Sequence, residues 1–294
     1  MHQSASRLSR RGFLGWFGGL VGVGLLGPSP ADAAPSVSDT ATILEQKPGL
    51  GSCGPCAVGN SFLHGDAPAR RAFDALPGPD PAARLDALIA RYGTRPSETY
   101  GPSRGRFAPG LGICTDDVPL LVNDLCTDAK LPPVHGQWLD ALPAEADNQR
   151  AHLRRVHTTL RAALARGLPP ILEVRAFTSN PTGSKEPWAN FYAHWLALLA
   201  VEPAELPANA SGFACRFADS FTGRIVPGFA YAERFRPFAA TRGFGIGANG
   251  SKSWRWLNGH PYVLLQLPDV PMNLETAPPA ARAVIALTYM VARG

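Results

Sequence analysis

The spacing of apolar residues changes at Gly167, and this change constrains the fold more than any other feature of the sequence. Before Gly167 the apolar residues recur at helical spacing, in Ala69–Leu76, Pro81–Tyr92 and Arg150–Leu164. After Gly167 the period becomes that of strands, in Pro170–Phe177, His194–Val201, Gly212–Asp219, Arg224–Phe229 and Tyr262–Leu267. Helices followed by a mostly antiparallel sheet predict the α+β class.

Four further segments complete the predicted architecture. A short helix is expected in Cys53–His64, entered through a glycine-proline turn, and Thr115 is placed as the N-cap of a helix that runs through Leu125. Gly93–Gly112 is rich in glycine, proline and arginine, which predicts a surface excursion. Pro278–Val291 is predicted to be a closing helix.

The first 33 residues have the features of an export signal. Ser9-Arg10-Arg11-Gly12-Phe13-Leu14 is typical of the twin-arginine route, and Ala31-Asp32-Ala33 is a small-residue cleavage site. The apolar stretch Phe13–Gly27 is too short to span a bilayer, so no stable membrane anchor is expected. We therefore predict a signal peptide in 1–33, a linker in 34–43 and one domain in 44–294. The host would be bacterial, the twin-arginine translocation machinery a partner, and the mature protein periplasmic or secreted.

The net charge of the chain argues against nucleic acid as a ligand, and the spacing of its histidines argues against a metal ion. The chain has a net charge of +5, and removing Arg7, Arg10, Arg11 and Asp32 with the signal leaves +3. No basic stripe of the kind that binds nucleic acid is present in the sequence. The histidines other than His194 lack metal-ligand spacing, so neither a metal nor another cofactor is expected.

The chain has five cysteines, an odd number for an exported protein. At least one thiol is therefore left without an intramolecular partner, and a lone thiol is a candidate nucleophile. The sequence does not choose a pairing among the cysteines apart from Cys53, which are Cys56, Cys114, Cys126 and Cys215.

The predicted hairpin of His194–Val201 and Gly212–Asp219 brings a histidine and a carboxylate together. A symmetric loop at Glu202–Ser211 would put His194 directly opposite Asp219, with Cβ atoms roughly 4.5–5.5 Å apart. The next pairs on that face would all be apolar: Leu196 with Phe217, Leu198 with Cys215, and Ala200 with Phe213. A carboxylate at one ring nitrogen fixes the tautomer and orientation of an imidazole that acts as a base. A purely structural His-Asp pair at a sheet rim is the alternative.

Cys53 lies where the glycine-proline turn enters the short helix. A helix N-terminus presents free N–H groups and partial positive charge, which favour a thiolate. Gln46, seven residues upstream, is close enough along the chain for its amide to donate to an oxyanion that develops beside Cys53. Taken singly, Gln46 is equally compatible with a surface residue and Cys53 with a small buried one.

Together these residues resemble the papain-like cysteine peptidases, and most closely those of the bacteriocin-leader-processing type. The similar features are Gln46 followed by Cys53-Gly54-Pro55 with Ala57 and Asn60, the strand opened by His194, and Asp219-Ser220-Phe221-Thr222-Gly223. The resemblance runs from about residue 44 to 235. It implies a papain-like fold and a cysteine peptidase or amidase, with Cys53 as nucleophile, His194 as base, Asp219 as orienting acid and Gln46 as oxyanion donor. The substrate would be a peptide or another amide.

Three features of the sequence differ from that family, so the family's substrate is not carried over to this chain. Gln46 is one residue farther from the cysteine than is usual, and the stretch from Cys53 to His194 is long. No transporter segments accompany the domain, which argues against coupled peptide export.

Several alternatives remain open. Cys56 could be the nucleophile, although Gln46 is ten residues before it and the tryptophan expected next is Ala57. Cys53-Gly54-Pro55-Cys56 is also the thioredoxin sequence. A disulfide oxidoreductase would require an apolar strand before this motif, and the sequence has none there.

Two alternatives concern what the domain does with the same residues. The triad could transfer its acyl group to an amine, as in transglutaminases and transpeptidases, or the domain could be an inactive binding module. Trp188 and Trp254-Arg255-Trp256 could line a cleft or cover the sheet.

Overall fold

The computed structural model describes residues 42–47, 49–139, 149–179, 188–231, 241–246, 252–257, 263–272 and 283–294. The chain divides into two units, Met1–Ala33 and Ala34–Gly294. All described residues belong to the second unit, so the predicted signal in 1–33 and most of the predicted linker lie outside them. No helix in the described ranges is long and apolar enough to cross a membrane.

Five α-helices occupy the described part of the first 164 residues: α1 Cys53–Leu63, α2 Ala67–Asp74, α3 Pro81–Leu88, α4 Asp117–Asp128 and α5 Gln149–Leu164. A π-helical turn, Ile89–Gly93, extends α3. The side chains of Asp66 and Asp80 cap α2 and α3 by accepting from the N–H groups of Ala69 and Ala83, both at 2.8 Å. A proline in the first turn of each of these two helices sets a helical φ angle. Helix α3 begins at the predicted Pro81, whereas α2 begins two residues before the predicted Ala69.

Thirteen β-strands are described: β1 Pro96–Ser97, β2 Gly101–Gly105, β3 Phe107–Ala108, β4 Gly112–Ile113, β5 Val134–Trp138, β6 Ile171–Ser179, β7 Trp188–Glu202, β8 Gly212–Asp219, β9 Arg224–Tyr231, β10 Thr241–Ile246, β11 Lys252–Leu257, β12 Val263–Gln266 and β13 Ala283–Arg293. Seven of them form one antiparallel sheet in the order β12-β9-β8-β7-β6-β13-β5. The strands predicted after Gly167 are all present, and β8 has the predicted bounds. The mixed architecture of helices and a large antiparallel sheet is compatible with the predicted α+β class.

The large sheet closes on itself. Strand β12 pairs with β9 through Leu265 and Ala230, and on its other edge with β13 through Leu265 and Ile285. Because β13 also pairs with β6, the strands β6, β7, β8, β9, β12 and β13 form a closed antiparallel barrel. In the closed barrel each of these six strands has a hydrogen-bonded neighbour on both edges. Strand β5 pairs with β13 and is not part of the barrel.

The barrel has a hydrophobic core on each side of its wall. The largest apolar cluster contains residues of all six barrel strands and is therefore the interior, and α5 contributes Leu153, Val156 and Leu160 to it. A second cluster lies outside the wall, where Trp195 and Tyr289 pack against α1 and α4. Since the two clusters share the wall, alternate residues of β7 belong to different cores.

The prediction of a closing helix in Pro278–Val291 is wrong, because Ala283–Arg293 is strand β13. Its side chains are buried on both faces from Val284 to Arg293, so the segment is a nearly continuous apolar run without strand alternation. A run of this kind does not distinguish a buried strand from a buried helix by periodicity.

The structure also corrects the start of α4. Asp116, not Thr115, occupies the N-cap position. The Thr115 hydroxyl is buried and lies 3.0 Å from Oε1 of Glu173 and 3.2 Å from the guanidinium of Arg175. A buried ion pair therefore holds the threonine that we expected to cap the helix.

The predicted surface excursion Gly93–Gly112 contains two small hairpins, β1 with β2 and β3 with β4. The second hairpin is docked beside the start of α1, because the N–H of Gly110 donates to the carbonyl oxygen of Leu50 at 2.9 Å. Gly51 and Gly112 cross there with φ angles of +64° and +74°. A Cβ on Gly51 would lie 3.2 Å from the backbone nitrogen of Gly112, so this crossing requires glycine.

Candidate functional site

His194 and Asp219 form a fully buried pair at one end of the barrel. Nε2 of His194 lies 2.7 Å from Oδ1 of Asp219, and both side chains are 0% exposed. Because a carboxylate only accepts hydrogen bonds, Nε2 carries the proton and donates it. The second ring nitrogen, Nδ1, is buried and has no hydrogen-bond partner of standard geometry among the described residues.

The predicted register of the hairpin is wrong, by two residues in the part nearer to His194 and by three residues next to the loop. Phe217 pairs with Leu198 instead of Leu196, and Ala218 pairs with Ala197. Next to the loop, Cys215 pairs with Val201 instead of Leu198, so the asymmetric loop shifts the pairing by three residues. The bulge at Leu199 reduces this shift by one, which leaves a shift of two residues between the bulge and His194. His194 is therefore diagonal to Asp219 and not opposite it.

An even register error leaves the face of each residue unchanged, and this explains why the two side chains still meet. Leu198, Phe213, Cys215 and Phe217 belong to the barrel interior as predicted. The prediction for Ala200 is wrong, because beyond the bulge Val201 takes its place in this core and Ala200 pairs with Arg216. His194 and Asp219 share this face at its polar end, and β7 and β8 stay paired as far as Ala197 and Ala218. Long side chains reach a diagonal neighbour across an antiparallel pair.

The turn after β8 holds the Asp219 carboxylate. Oδ2 accepts from the N–H of Thr222 at 3.0 Å and from its hydroxyl at 2.8 Å, and Oδ1 also accepts from the N–H of Phe221 at 3.2 Å. The sequence carried a signal for these contacts, since an aspartate commonly accepts from the backbone two and three residues ahead in a turn. The Phe221 ring lies 4.6 Å from the His194 ring and packs beside it.

These surroundings set the charges of the pair. Burial by itself favours the neutral carboxyl of Asp219, but the hydrogen bonds from His194, Thr222 and Phe221 lower its pKa. Burial likewise opposes the charged form of His194, yet Asp219 and Cys53 together raise the pKa of the imidazole to about 9. The geometry therefore favours an imidazolium beside an ionised carboxylate at neutral pH.

Cys53 is the first residue of α1 and is half-buried. Its thiol interacts with the His194 side chain, and this interaction contributes to the raised pKa of the histidine. Because Nε2 is bound to Asp219, Nδ1 is the ring nitrogen that is free to face the sulfur. The next residue, Gly54, packs against Trp195 of β7 and Ile113 of β4, which fixes the helix start against the barrel wall.

Cys56 has a different environment. It is fully buried in the core between α1 and its neighbours, and its sulfur lies 3.9 Å from the Ser52 hydroxyl. Burial raises the pKa of the Cys56 thiol to about 12. All five cysteines lie in the described ranges and are free thiols.

Gln46 lies beside the turn that carries Asp219. Its backbone N–H donates to the carbonyl oxygen of Ser220 at 2.9 Å. The side chain is half-buried, and no hydrogen bond of its amide is found in the described part of the chain. The structure thus brings Gln46, Asp219, His194 and Cys53 to one end of the barrel.

Sequence reasoning missed one residue next to this group, Tyr192, and it included Asn60 only in the family resemblance, without a role. Tyr192, two residues before His194 on β7, has a pKa raised by burial and by the charges of Cys53 and Asp219. Asn60 is fully buried on α1 and holds the backbone of Leu44, two residues before Gln46. Nothing in the spacing of Leu44 and Asn60 indicates that they meet, because the contact is made by folding and not by periodicity.

The remaining predicted features are placed as follows. Trp188 begins β7, and Trp254-Arg255-Trp256 lies in β11, but the positions of these side chains lie outside what the structure describes. Among the described residues, no group of three or more His, Cys, Asp or Glu side chains could hold a metal ion.

Comparison of the chain with protein-family models, with curated proteins and with solved structures found no significant match. What this chain does must therefore be inferred from the residues of the site itself.

Proposed function

We propose that this protein is an exported cysteine hydrolase with a papain-like fold, acting on a peptide or another amide. The observation that carries the proposal is the buried His194–Asp219 pair at 2.7 Å, with the thiol of Cys53 interacting with the same imidazole from the first residue of a helix. A nucleophile, a base and a group that orients the base are the three parts that acyl-transfer chemistry requires. Export is inferred from the twin-arginine motif at Arg10 and Arg11.

The first half of the reaction follows from the charges of the site. The reactive form of the nucleophile is the Cys53 thiolate, and the His194 imidazolium supplies the positive charge that stabilises it. The sulfur attacks the amide carbon, a C–S bond forms, and the carbonyl electron pair moves to the oxygen. When the C–N bond breaks, His194 gives its proton to the leaving amine, so that the amine departs neutral.

The second half regenerates the enzyme. The now neutral His194 takes a proton from water, and the resulting hydroxide attacks the thioester carbon of the acyl-enzyme. The C–S bond breaks, the acid product leaves, and the thiolate and imidazolium are restored. Asp219 stays ionised throughout, because its hydrogen bonds lower its pKa, and it keeps the histidine ring in one orientation.

Two features support a role for Gln46 as the oxyanion donor. Its backbone is anchored at Ser220, next to Asp219, and its amide N–H groups are free of other described partners. The backbone N–H of Cys53, at the start of α1, would be the second donor.

The environment of Cys56 opposes the two alternatives that depend on it. A fully buried thiol with its pKa raised to about 12 is a poor nucleophile. The thioredoxin alternative requires a strand before the Cys53–Cys56 motif, and residues 42–47 and 49–52 are not part of any strand.

The proposal is tested by labelling with iodoacetamide at pH 7, followed by peptide mass spectrometry. We expect Cys53 to be labelled fastest of the five thiols, and His194→Ala to slow its labelling about tenfold or more, because the imidazolium no longer stabilises the thiolate. Cys53→Ala should abolish the fast phase, and Cys56→Ala should leave it unchanged.

Two outcomes contradict the proposal. Fast labelling that persists in Cys53→Ala and vanishes in Cys56→Ala would transfer the role to the second thiol. A Cys53 labelling rate that does not change in His194→Ala would refute the catalytic pair, provided that circular dichroism shows the variant to be folded.

A further inference from the structure

A short N-terminal segment, Thr42–Lys47, is wedged between the helices and the barrel, and we call it the strap. At its start the carbonyl oxygen of Thr42 lies 3.2 Å from Nε2 of His64 at the end of α1. At its end the Lys47 ammonium forms an ion pair with both carboxylate oxygens of Asp86 on α3, at 2.8 and 2.9 Å. Gln46, the proposed oxyanion donor, lies immediately before this ion pair.

Ile43 and Leu44, in the middle of the strap, are buried, and they contact the barrel and the helices respectively. Ile43 packs with Ala197, Leu199 and Ala218 on the outer side of β7 and β8. Leu44 packs in the opposite direction, into the helical core, where its Cδ1 fills the space beside Gly59. Residues 42–47 are not part of a strand, so no ladder of hydrogen bonds fixes the position of the strap along the chain direction. Its position depends on its individual side-chain and backbone contacts.

One side chain fixes that position from within α1. Oδ1 of Asn60 accepts from the N–H of Leu44 at 2.7 Å, and its Nδ2 donates to the carbonyl oxygen of the same residue at 3.3 Å. Asn60 is 0% exposed, so water cannot replace either bond. A primary amide that satisfies both backbone groups of one residue substitutes for a strand partner and holds the chain against sliding in either direction.

We propose that Asn60 is a positioning residue that holds the strap in the register that presents the Gln46 amide to the oxyanion. Asn60 contacts Leu44, and Gln46 is two residues farther along a strap whose next anchor is the Gln46 N–H on Ser220. A slip of the strap by one residue would turn the Gln46 side chain to the opposite side of an extended chain. This inference rests on the proposed function.

The test compares two reactions of the same sulfur in the full mature chain. Alkylation by iodoacetamide displaces iodide in one step and forms no oxyanion. Acylation by p-nitrophenyl acetate forms a C–S bond, places negative charge on the carbonyl oxygen, and then expels p-nitrophenolate. An oxyanion donor therefore accelerates acylation of Cys53 and not its alkylation, so the ratio of the two rates reports the donor alone.

We expect Gln46→Ala to lower the ratio of acylation to alkylation about 100-fold. Asn60→Leu should lower it about tenfold or more, because small misplacements of a catalytic group are costly, while the alkylation rate changes less than about twofold. Asn60→Asp keeps the acceptor for the Leu44 N–H and should give an intermediate ratio. Adding Asn60→Leu to Gln46→Ala should lower the ratio no further, since the two residues act as one unit.

Ser61→Ala is the matched control. Ser61 is the next residue of α1, is also fully buried, and donates its hydrogen bond to the carbonyl oxygen of Pro169, which is not part of the strap. Loss of the Ser61 hydroxyl should lower the free energy of unfolding but leave the ratio of acylation to alkylation unchanged. If Asn60→Leu does not fold, the ratio in Asn60→Asp decides the question.

The possible failures are distinguishable. An unchanged ratio in the Asn60 variants, or a further fall in the double variant with Gln46→Ala, overturns the positioning role of Asn60. An alkylation rate of Cys53 that is indifferent to His194 overturns the proposed function instead.

Discussion

Asp219→Asn is the substitution that tests the electrostatics of the site most directly. It removes a negative charge that lies 2.7 Å from Nε2 of His194 and changes the volume of the side chain very little. Asparagine has one oxygen instead of two, so it cannot accept from His194 and from Thr222 in the way that the carboxylate does. We expect the histidine to lose most of the stabilisation of its charged form.

The size of the effect follows from the pKa of His194, which is raised from 6.5 to about 9. At 1.36 kcal/mol for each pH unit, the site favours the imidazolium by about 3 kcal/mol. This is the net result after burial, which lowers the pKa and is the largest single influence on it. Without the carboxylate, only Cys53 opposes the effect of burial, and the pKa of His194 should fall well below 9.

The assay is an NMR titration of the histidine ring, assigned by the signal that is missing in His194→Ala. A second readout is the free energy of unfolding as a function of pH. The folded-state pKa of His194 is above its ordinary value, so its contribution to stability is complete below pH 6.5 and is lost as the pH rises through about 9. The parent should lose about 3 kcal/mol from this group over that interval, and Asp219→Asn should not.

Thr222→Val is the control for damage to the turn, because it removes one hydrogen bond to Asp219 and leaves the charge in place. In this variant the pKa of His194 should stay near 9. A histidine that still titrates near 9 in Asp219→Asn would refute the carboxylate as the cause of the shift.

Three further predictions concern stability and thiol reactivity. Glu173→Gln breaks the buried ion pair with Arg175 and should lower the free energy of unfolding by roughly 3–5 kcal/mol in urea denaturation. Gly54→Ala should cost about 1–3 kcal/mol in the same assay, because a Cβ at Gly54 would lie 2.2 Å from Cγ2 of Ile113, and the helix start must move to avoid it. Cys56, whose pKa is raised to about 12, should stay unlabelled by iodoacetamide at pH 8 in the native protein and become labelled in urea.

Each of these has a control or a contradicting result. Asp86→Asn breaks an exposed ion pair with Lys47 and should cost at most about 1 kcal/mol, so an equal loss in Glu173→Gln would show that burial of the pair has no effect. A Gly54→Ala variant as stable as the parent would mean that the helix start tolerates a side chain against β4. Rapid native labelling of Cys56 would contradict its burial.

Most helices and strands of the chain were predictable from the spacing of apolar residues and from the residue types that mark where an element begins or ends. Strand β8 has the predicted bounds, Gly212–Asp219, and α5 begins one residue before the predicted Arg150. The sequence also predicted that His194 and Asp219 meet, and they do, because the shift of register beside them is even and leaves both residues on the same face. Patterns with a period of two or 3.6 residues carry this information, since they depend only on which side of an element is buried.

Tertiary structure decided everything that depends on contacts between distant segments. The asymmetric loop and the bulge at Leu199 together set the register of the hairpin. Closure of the barrel made β13 a strand, although its unbroken apolar run has no strand period. Cys56 is fully buried whereas Cys53 is only half-buried, and Asn60 is hydrogen-bonded to Leu44. Both features arise where one segment packs on another that is far away along the chain. Periodicity reports which residues avoid water, whereas the identity of the partner that covers them is a property of the whole fold.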